Sequence, residues 1–172
     1  MNKKYNKYEL TGEYGIGYDS KGNEFYFDLE DYDKIKDYYW YNRYGYFSNE
    51  TINGKIYLHK LIMNVSELEN MVIDHINRQR NDNRKCNLRL ATVIQNSYNA
   101  NIPKDNTSGY IGITWDKSRN KWIAGIKVNY KRINLGRYHD IEDAIKVRLK
   151  AEKQYFGEFA PQIHLFEQYG II

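Results

Sequence analysis

Cysteine occurs once and proline twice in this chain of 172 residues. The single thiol, Cys86, excludes an internal disulfide and any zinc site assembled from several thiolates. Long apolar runs are missing too. Nothing approaches the roughly 18 consecutive apolar residues of a membrane span, and the opening MNKKYNKYELTG lacks the apolar stretch of a signal peptide. The expectation is a soluble, cytoplasmic chain. Its length suits one domain or two small ones rather than a large single-core enzyme. Hydrophobic residues at 41% and aromatics at 16% are enough to bury cores, which argues against intrinsic disorder.

The formal net charge of +4 is small because opposite blocks cancel. Residues 8–50 carry a net −6, residues 71–150 a net +9, and the last 22 residues a net −2. Tyrosine segregates the other way, with 11 of 18 before residue 51. A basic block of that size implies a polyanionic partner for the middle and C-terminal parts, and a modular chain.

Turn and periodicity signals divide the chain further. To about residue 58, short β-prone runs alternate with turns: Glu13 to Tyr18 and Glu24 to Leu29 around Ser20-Lys21-Gly22-Asn23, then Tyr38 to Phe47 and Lys55 to Leu58 around Asn53-Gly54. One or two helical turns are expected between the pairs, capped by Asp31 or Asp33, and LHKLIMN at 58–64 reads as helical. Next come a strand at Met71 to Ile73, a polar loop expected to be solvated, a short strand at Leu88 to Leu90, and a helix. Thr92 and Gln95 form a capping box at its start, and Pro103 follows its end. Beyond a polar linker, three alternating runs at 110–115, 121–128 and 131–135 precede a helix over Ile141 to Phe156, with Asp140 as its cap. The helix places Ile141, Ala144, Ile145, Arg148, Leu149, Glu152 and Tyr155 or Phe156 on one stripe.

The chemistry concentrates in the middle. Asp74 and His75 are adjacent at a strand end, with Asn83 and Asn87 in the loop and Asn96 in the helix. Neighbouring strand residues point to opposite faces, which leaves Asp74 able to hold a cation and His75 to take a proton from water. A carboxylate with a carboxamide oxygen suits a hard octahedral ion such as Mg²⁺ rather than Zn²⁺. Arg78, Arg80, Arg84, Lys85 and Arg89 surround these residues, and arginine can hold phosphate bidentately.

The run VIDHINRQRNDNRKCNLRLATVIQN, with its LHKLIMN lead-in, resembles the HNH endonuclease family, in the variant with Asn in the last motif position common among phage and intron-encoded homing endonucleases. The resemblance covers about residues 71–100. It implies a ββα-metal fold in which His75 is the general base, Asp74 and Asn96 bind the metal, and Asn87 braces the loop and orients His75. His59 belongs to the lead-in and is given no catalytic role. The CxxC pairs of zinc-stapled relatives are missing, so the core is expected to rely on side-chain contacts, with Cys86 inert.

The segment from Ser108 to Ala160 resembles the ethylene-response-factor (Apetala-type) DNA-binding domain. The likeness is carried by Tyr110 and Gly112, Lys121-Trp122, Leu135-Gly136 and Glu142 to Ala144. That family lays its three-stranded sheet into the major groove. Arg119, Lys121, Lys127 and Arg132 are then expected to reach DNA, with Trp115 and Trp122 at the DNA surface and Ile123, Ile126 or Val128 beneath. Ile111 and Thr114 stand where the plant domains have arginines, so their base preference does not transfer.

These readings combine into an α+β chain: a β-rich N-terminal region (1–58), an HNH ββα-metal core (59–102), a linker (103–109), an Apetala-type domain (110–161) whose three-stranded antiparallel sheet rests on one helix, and a tail (162–172). The expected activity is metal-dependent hydrolysis of phosphodiesters in double-stranded DNA. It would use one Mg²⁺ or Mn²⁺ ion and act as a monomer without small-molecule substrate or membrane, near the nucleoid of a prokaryotic or phage-infected cell. The alternative is a sequence-specific DNA-binding protein or repressor with an inactive HNH scaffold.

Overall fold

A computed structural model describes residues 5–65 and 69–171 of the chain, which clusters into two compact units, 1–93 and 94–172. Both are α+β, built from small antiparallel sheets and short helices. No helix among the described residues is long and apolar enough to cross a membrane.

In the first unit, β1 (Lys7–Glu9), β2 (Gly15–Tyr18) and β3 (Glu24–Phe27) form a sheet with β2 at its centre. The Ser-Lys-Gly-Asn turn between β2 and β3 is organised by Asp19, whose carboxylate accepts the backbone N–H groups of Lys21 and Asn23 at 2.8 and 2.9 Å. β1 is not among the expected strands, because Lys-Tyr-Glu has no apolar alternation. Asn6 ties it down by donating to the Trp40 carbonyl at 2.8 Å and accepting the Trp40 N–H at 2.7 Å. After α1 (Tyr32–Ile35), β4 (Tyr41–Arg43), β5 (Tyr46–Thr51) and β6 (Gly54–Tyr57) form a second sheet, in which the Asn53-Gly54 turn sets Thr51 opposite Gly54. Then follow α2 (Leu58–Ile62) and the hairpin of β7 (Met71–His75) with β8 (Leu88–Thr92).

One apolar core serves all of these elements. Phe25, Phe27, Ile35, Trp40, Phe47, Leu58 and Ile62 cluster with Ile73 and Leu88 from the hairpin. β2 makes room for the two phenylalanines by presenting glycine: Gly15 lies opposite Phe27 and Gly17 opposite Phe25, and a Cβ at either would collide with the facing ring. α2 adds a polar residue to this apolar setting. His59 is buried, its ring 5.4 Å from that of Tyr46 and 5.6 Å from that of Tyr57, and its Nδ1 has no hydrogen-bond partner among the described residues.

The second unit begins within α3 (Val93–Tyr98), followed by the polar linker and a sheet of β9 (Ile113–Asp116), β10 (Lys121–Val128) and β11 (Lys131–Tyr138), with β10 central. β11 runs past the expected end at Leu135 because a register shift between Ala124 and Gly125 lets pairing resume at Gly136. α4 (Ile141–Phe156) has the expected limits, and Asp140 caps it by accepting the Glu142 N–H at 2.9 Å. Ala144, Ile145 and Leu149 pack with Ile113 and Ala124, while Ala151 and Phe156 pack with Ile126. Arg148 and Glu152 occupy the buried stripe as an ion pair at 2.9 Å. Gln162 serves that pair, donating to Glu152 Oε1 at 2.6 Å, and Ile171 closes the core beside it.

Two measurements test this packing. Gly17→Ala should cost about 1–3 kcal/mol through overpacking, read as a lower denaturation midpoint, and an unchanged midpoint would show that the Phe25 ring yields freely. Burial pushes the His59 imidazole from 6.5 down to about 3. The unfolded state therefore takes up its proton first as the pH falls. Stability is full above about pH 6.5 and declines from there toward about pH 3, by up to roughly 1.4 kcal/mol per pH unit from this group. Urea melts at several pH values should show that slope in the parent chain, and a shallower one in His59→Phe.

Candidate active site

β7 ends on two buried polar residues, Asp74 and His75, each 4% exposed. Pairing with β8 sets Asp74 opposite Arg89 and His75 opposite Leu88. Arg89 closes on the Asp74 carboxylate, with Nε and Nη2 at 2.9 and 2.8 Å from Oδ2. The His75 ring sits in a box of other rings, 5.4 Å from His59 and 5.9 Å from Tyr46, and its Nε2 is 3.5 Å from Asn83 Oδ1. Burial is the largest influence on this imidazole. It holds the group below its ordinary value against the opposing pull of Asn83, Asp74 and Asp82, leaving His75 neutral near pH 7.

The loop joining the two strands, expected to be solvated, instead buries its polar centre. Asp82, Asn83 and Asn87 are 2%, 0% and 5% exposed. Every one of them is hydrogen-bonded, which is what makes such burial affordable. Asn87 Oδ1 accepts the Asn77 N–H at 2.9 Å, and Asn87 Nδ2 donates to the Asp82 carbonyl at 2.8 Å. Asp82 accepts Asn77 Nδ2 at 2.9 Å and takes Arg84 through Nε and Nη2 at 2.8 and 2.7 Å. The loop is also bound to the first sheet. Tyr26 of β3 donates its N–H to the Asn81 carbonyl and accepts that of Asn83, both at 2.8 Å. Asp28 accepts the Lys85 N–H at 2.8 Å.

The five cations expected around this site have distinct surroundings. Arg84 pairs with Asp82 and lies 4.5 Å from the Tyr14 ring. Lys85 pairs with Glu30 and, at 3.0 Å, with Asp31. Arg89 holds Asp74. Arg80 is exposed, donates to the Tyr44 carbonyl at 3.0 Å and stands 4.6 Å from the Tyr46 ring. Arg78 takes a left-handed backbone (φ +65°) and donates its N–H to the His75 carbonyl at 2.8 Å. Asn96 lies exposed on α3, in the second unit.

Sequence reasoning left the immediate neighbours of His75 without roles. Asn83 is named in the polar set with Asn87 and Asn96 but given no individual role, and Tyr46 lies far away in the chain. His59 is placed in the LHKLIMN lead-in with no catalytic role, and it is the one polar residue of that segment that the structure buries.

In the second unit, Lys127 and Arg132 are exposed cross-strand neighbours. Arg119 is exposed and reaches Asp116 at 3.3 Å, and Lys121 is half-buried opposite Asp116. Trp115 and Trp122 have ring centroids 5.0 Å apart, with Trp122 against the core. Ile126 and Val128 contribute to the core on the α4 side, whereas Ile123 takes its place in register with Thr114 and Arg137.

β7 offers the Asp74 carboxylate, an oxygen donor of the kind a hard divalent ion takes, with its Oδ2 already held by Arg89. No group of three or more His, Cys, Asp or Glu residues arranged for a metal occurs among the described residues. Any ion here would complete its shell from Asn oxygens, water and substrate.

Comparison with known proteins agrees with this hairpin and loop. Residues 65–98 match the model of the HNH endonuclease family. The chain is similar to Protein 3.8 of Escherichia phage T7, 34% identical over 88 residues, covering 51% of this chain and 72% of that protein. It is also similar to a protein of Acanthamoeba polyphaga mimivirus named as uncharacterized HNH endonuclease L560, 29% identical over 145 residues, or 81% of this chain and 74% of the relative. No solved structure gives a significant match. The matched residues run through β7, the braced loop, β8 and α3, so this chain carries an HNH endonuclease domain there.

Proposed function

We propose that the chain is a metal-dependent, homing-type DNA endonuclease whose second unit supplies DNA binding. The observation that carries this reading is a buried, neutral imidazole, His75, beside the Asp74 carboxylate at a strand end fixed by an Asn-braced loop. HNH nucleases generally use a divalent metal ion. The resemblance to that family assigns the ion to Asp74 and Asn96, and Mg²⁺ or Mn²⁺ suits such oxygens. When bound, the ion supplies charge stabilisation to the pentavalent phosphorus and the leaving 3′ oxygen.

The chain's own residues account for the rest. His75, kept neutral by burial, accepts a proton from the attacking water. The His59 and Tyr46 rings and Asn83 limit where its imidazole can turn. Asn87 acts at one remove, holding Asn77 and Asp82 so that the loop cannot swing away from His75. Arg89 orients the Asp74 carboxylate. Arg78 and Arg80 flank the loop as phosphate contacts, with Arg84, Lys85 and Arg89 adding to the local positive potential through their paired side chains.

In the second unit, the likeness to the Apetala-type domain, the exposed Arg119, Lys127 and Arg132 and the half-buried Lys121 support a sheet laid on double-stranded DNA. These contacts are mainly to phosphates, which position without specifying sequence.

His75→Ala should reduce nicking of supercoiled plasmid by about 10²–10⁴-fold while leaving salt-sensitive DNA binding in place, and EDTA should abolish the parent activity. Strong cleavage by the variant would remove His75 from the role of base. Salt-sensitive binding with no metal-dependent nick on any DNA would favour a repressor built on an inactive scaffold.

A further inference from the structure

The second unit contains a cleft of about 440 Å³ between α3, the end of β10, the β10–β11 turn and α4. Its apolar wall includes Ile94, Ile126, Phe156 and Pro161. Tyr98 stiffens that wall by stacking on Phe156, with centroids 3.9 Å apart and planes at 18°, while its hydroxyl donates to Asn129 at 2.9 Å. Lys127 and Arg132 bring positive charge, Arg148 is paired with Glu152 behind the lining, and no carboxylate is among the lining residues. Gly112 lets its backbone approach Arg148 and the Gly125 carbonyl closely, since a Cβ there would collide with both.

Two features of this lining call for an anion. Lys127 and Arg132 are directly opposite on neighbouring strands, an arrangement of like charges that costs stability unless a counter-charge lies between them. Arg148 is 96% buried, as its 4% exposure gives. Its Nε donates to the Ile111 carbonyl at 3.0 Å and its Nη2 pairs with Glu152 at 2.9 Å, yet its Nη1 has no acceptor among the described residues. Size and walls narrow the choice of anion. A volume near 440 Å³ lies toward the lower end of the roughly 300–1,000 Å³ of small-molecule sites and is too small for a duplex. The apolar wall and the exposed ring of Tyr130, 5.7 Å from Lys127 Nζ, offer a planar group a surface to lie against.

We propose that this cleft binds one nucleotide, its phosphate held between Lys127 and Arg132 and its base against the exposed ring of Tyr130. The nucleotide is either free or part of an unpaired strand. The proposal goes beyond the nuclease reading: it does not depend on the chemistry of His75, and it shares only Lys127 and Arg132 with the proposed duplex contact.

The full-length His75→Ala protein in EDTA allows binding to be measured without cleavage. Calorimetry with a 5′-deoxymononucleotide, with inorganic phosphate, and with a short single-stranded oligonucleotide lacking a terminal phosphate distinguishes the two sources. Mononucleotide binding supports a free ligand, and binding of the oligonucleotide alone supports a strand. In either case the Lys127→Ala/Arg132→Ala pair, and separately Ala100→Trp at the exposed rim, should weaken binding at least 10-fold, while Lys146→Ala on the exposed face of α4 leaves it unchanged. The proposal is overturned if neither ligand binds at millimolar concentration, if the cleft substitutions have no effect, or if phosphate alone binds as tightly as the nucleotide. Plasmid nicking by the parent chain, measured in parallel, reports on the nuclease reading separately.

Discussion

The hydrogen bonds that Tyr26 makes to Asn81 and Asn83 hold together two parts of the chain more than 50 residues apart. The loop between β7 and β8 is almost entirely polar, and a segment of that composition has no hydrophobic reason to be ordered. It is ordered because the edge of β3 offers unpaired backbone groups, and the loop satisfies them as a further strand would. Asn87 then closes the loop on itself, and Asn83 is delivered to His75. The orientation of the buried imidazole therefore depends on a sheet that shares no chemistry with it.

The same dependence explains the lopsided charge. An acidic, tyrosine-rich head ahead of a basic block looks from the sequence like a module kept away from a polyanion. In the folded first unit, Asp28, Glu30 and Asp31 hold the backbone and side chain of Lys85, and Tyr14 and Tyr46 lie beneath Arg84 and Arg80. The head's acids and rings thus organise the cations of the loop. The exposed Lys85–Glu30 pair contributes little to stability, whereas the buried Asp31 needs Lys85 as its partner; both fix where the lysine side chain points.

Features set by nearby residues were legible in the sequence. The limits of α4, the Asp140 cap, the Asn53-Gly54 hairpin, the Asp74-His75 strand end and the three-strand pattern of the second unit all depend on neighbours a few positions away. Arg148 and Glu152 even appeared on the buried stripe of α4, though their pairing required knowing that Gln162 and the Ile111 carbonyl would satisfy them. The rest was hidden because it depends on distant partners. β1 needs Trp40, the polar loop needs Tyr26, and the ring box around His75 needs Tyr46 and His59. Polarity alone cannot reveal burial when every hydrogen bond is supplied from elsewhere.

The bonds between β3 and the loop also bear on the order in which the first unit assembles. Contacts between residues 24–28 and 81–85 close a long stretch of chain and form slowly compared with hairpins such as β5–β6. During synthesis the N-terminal sheet emerges well before the loop it will hold. The groups that will hold the loop are therefore synthesised before it, and a segment too polar to collapse on its own has them to pair with when it arrives.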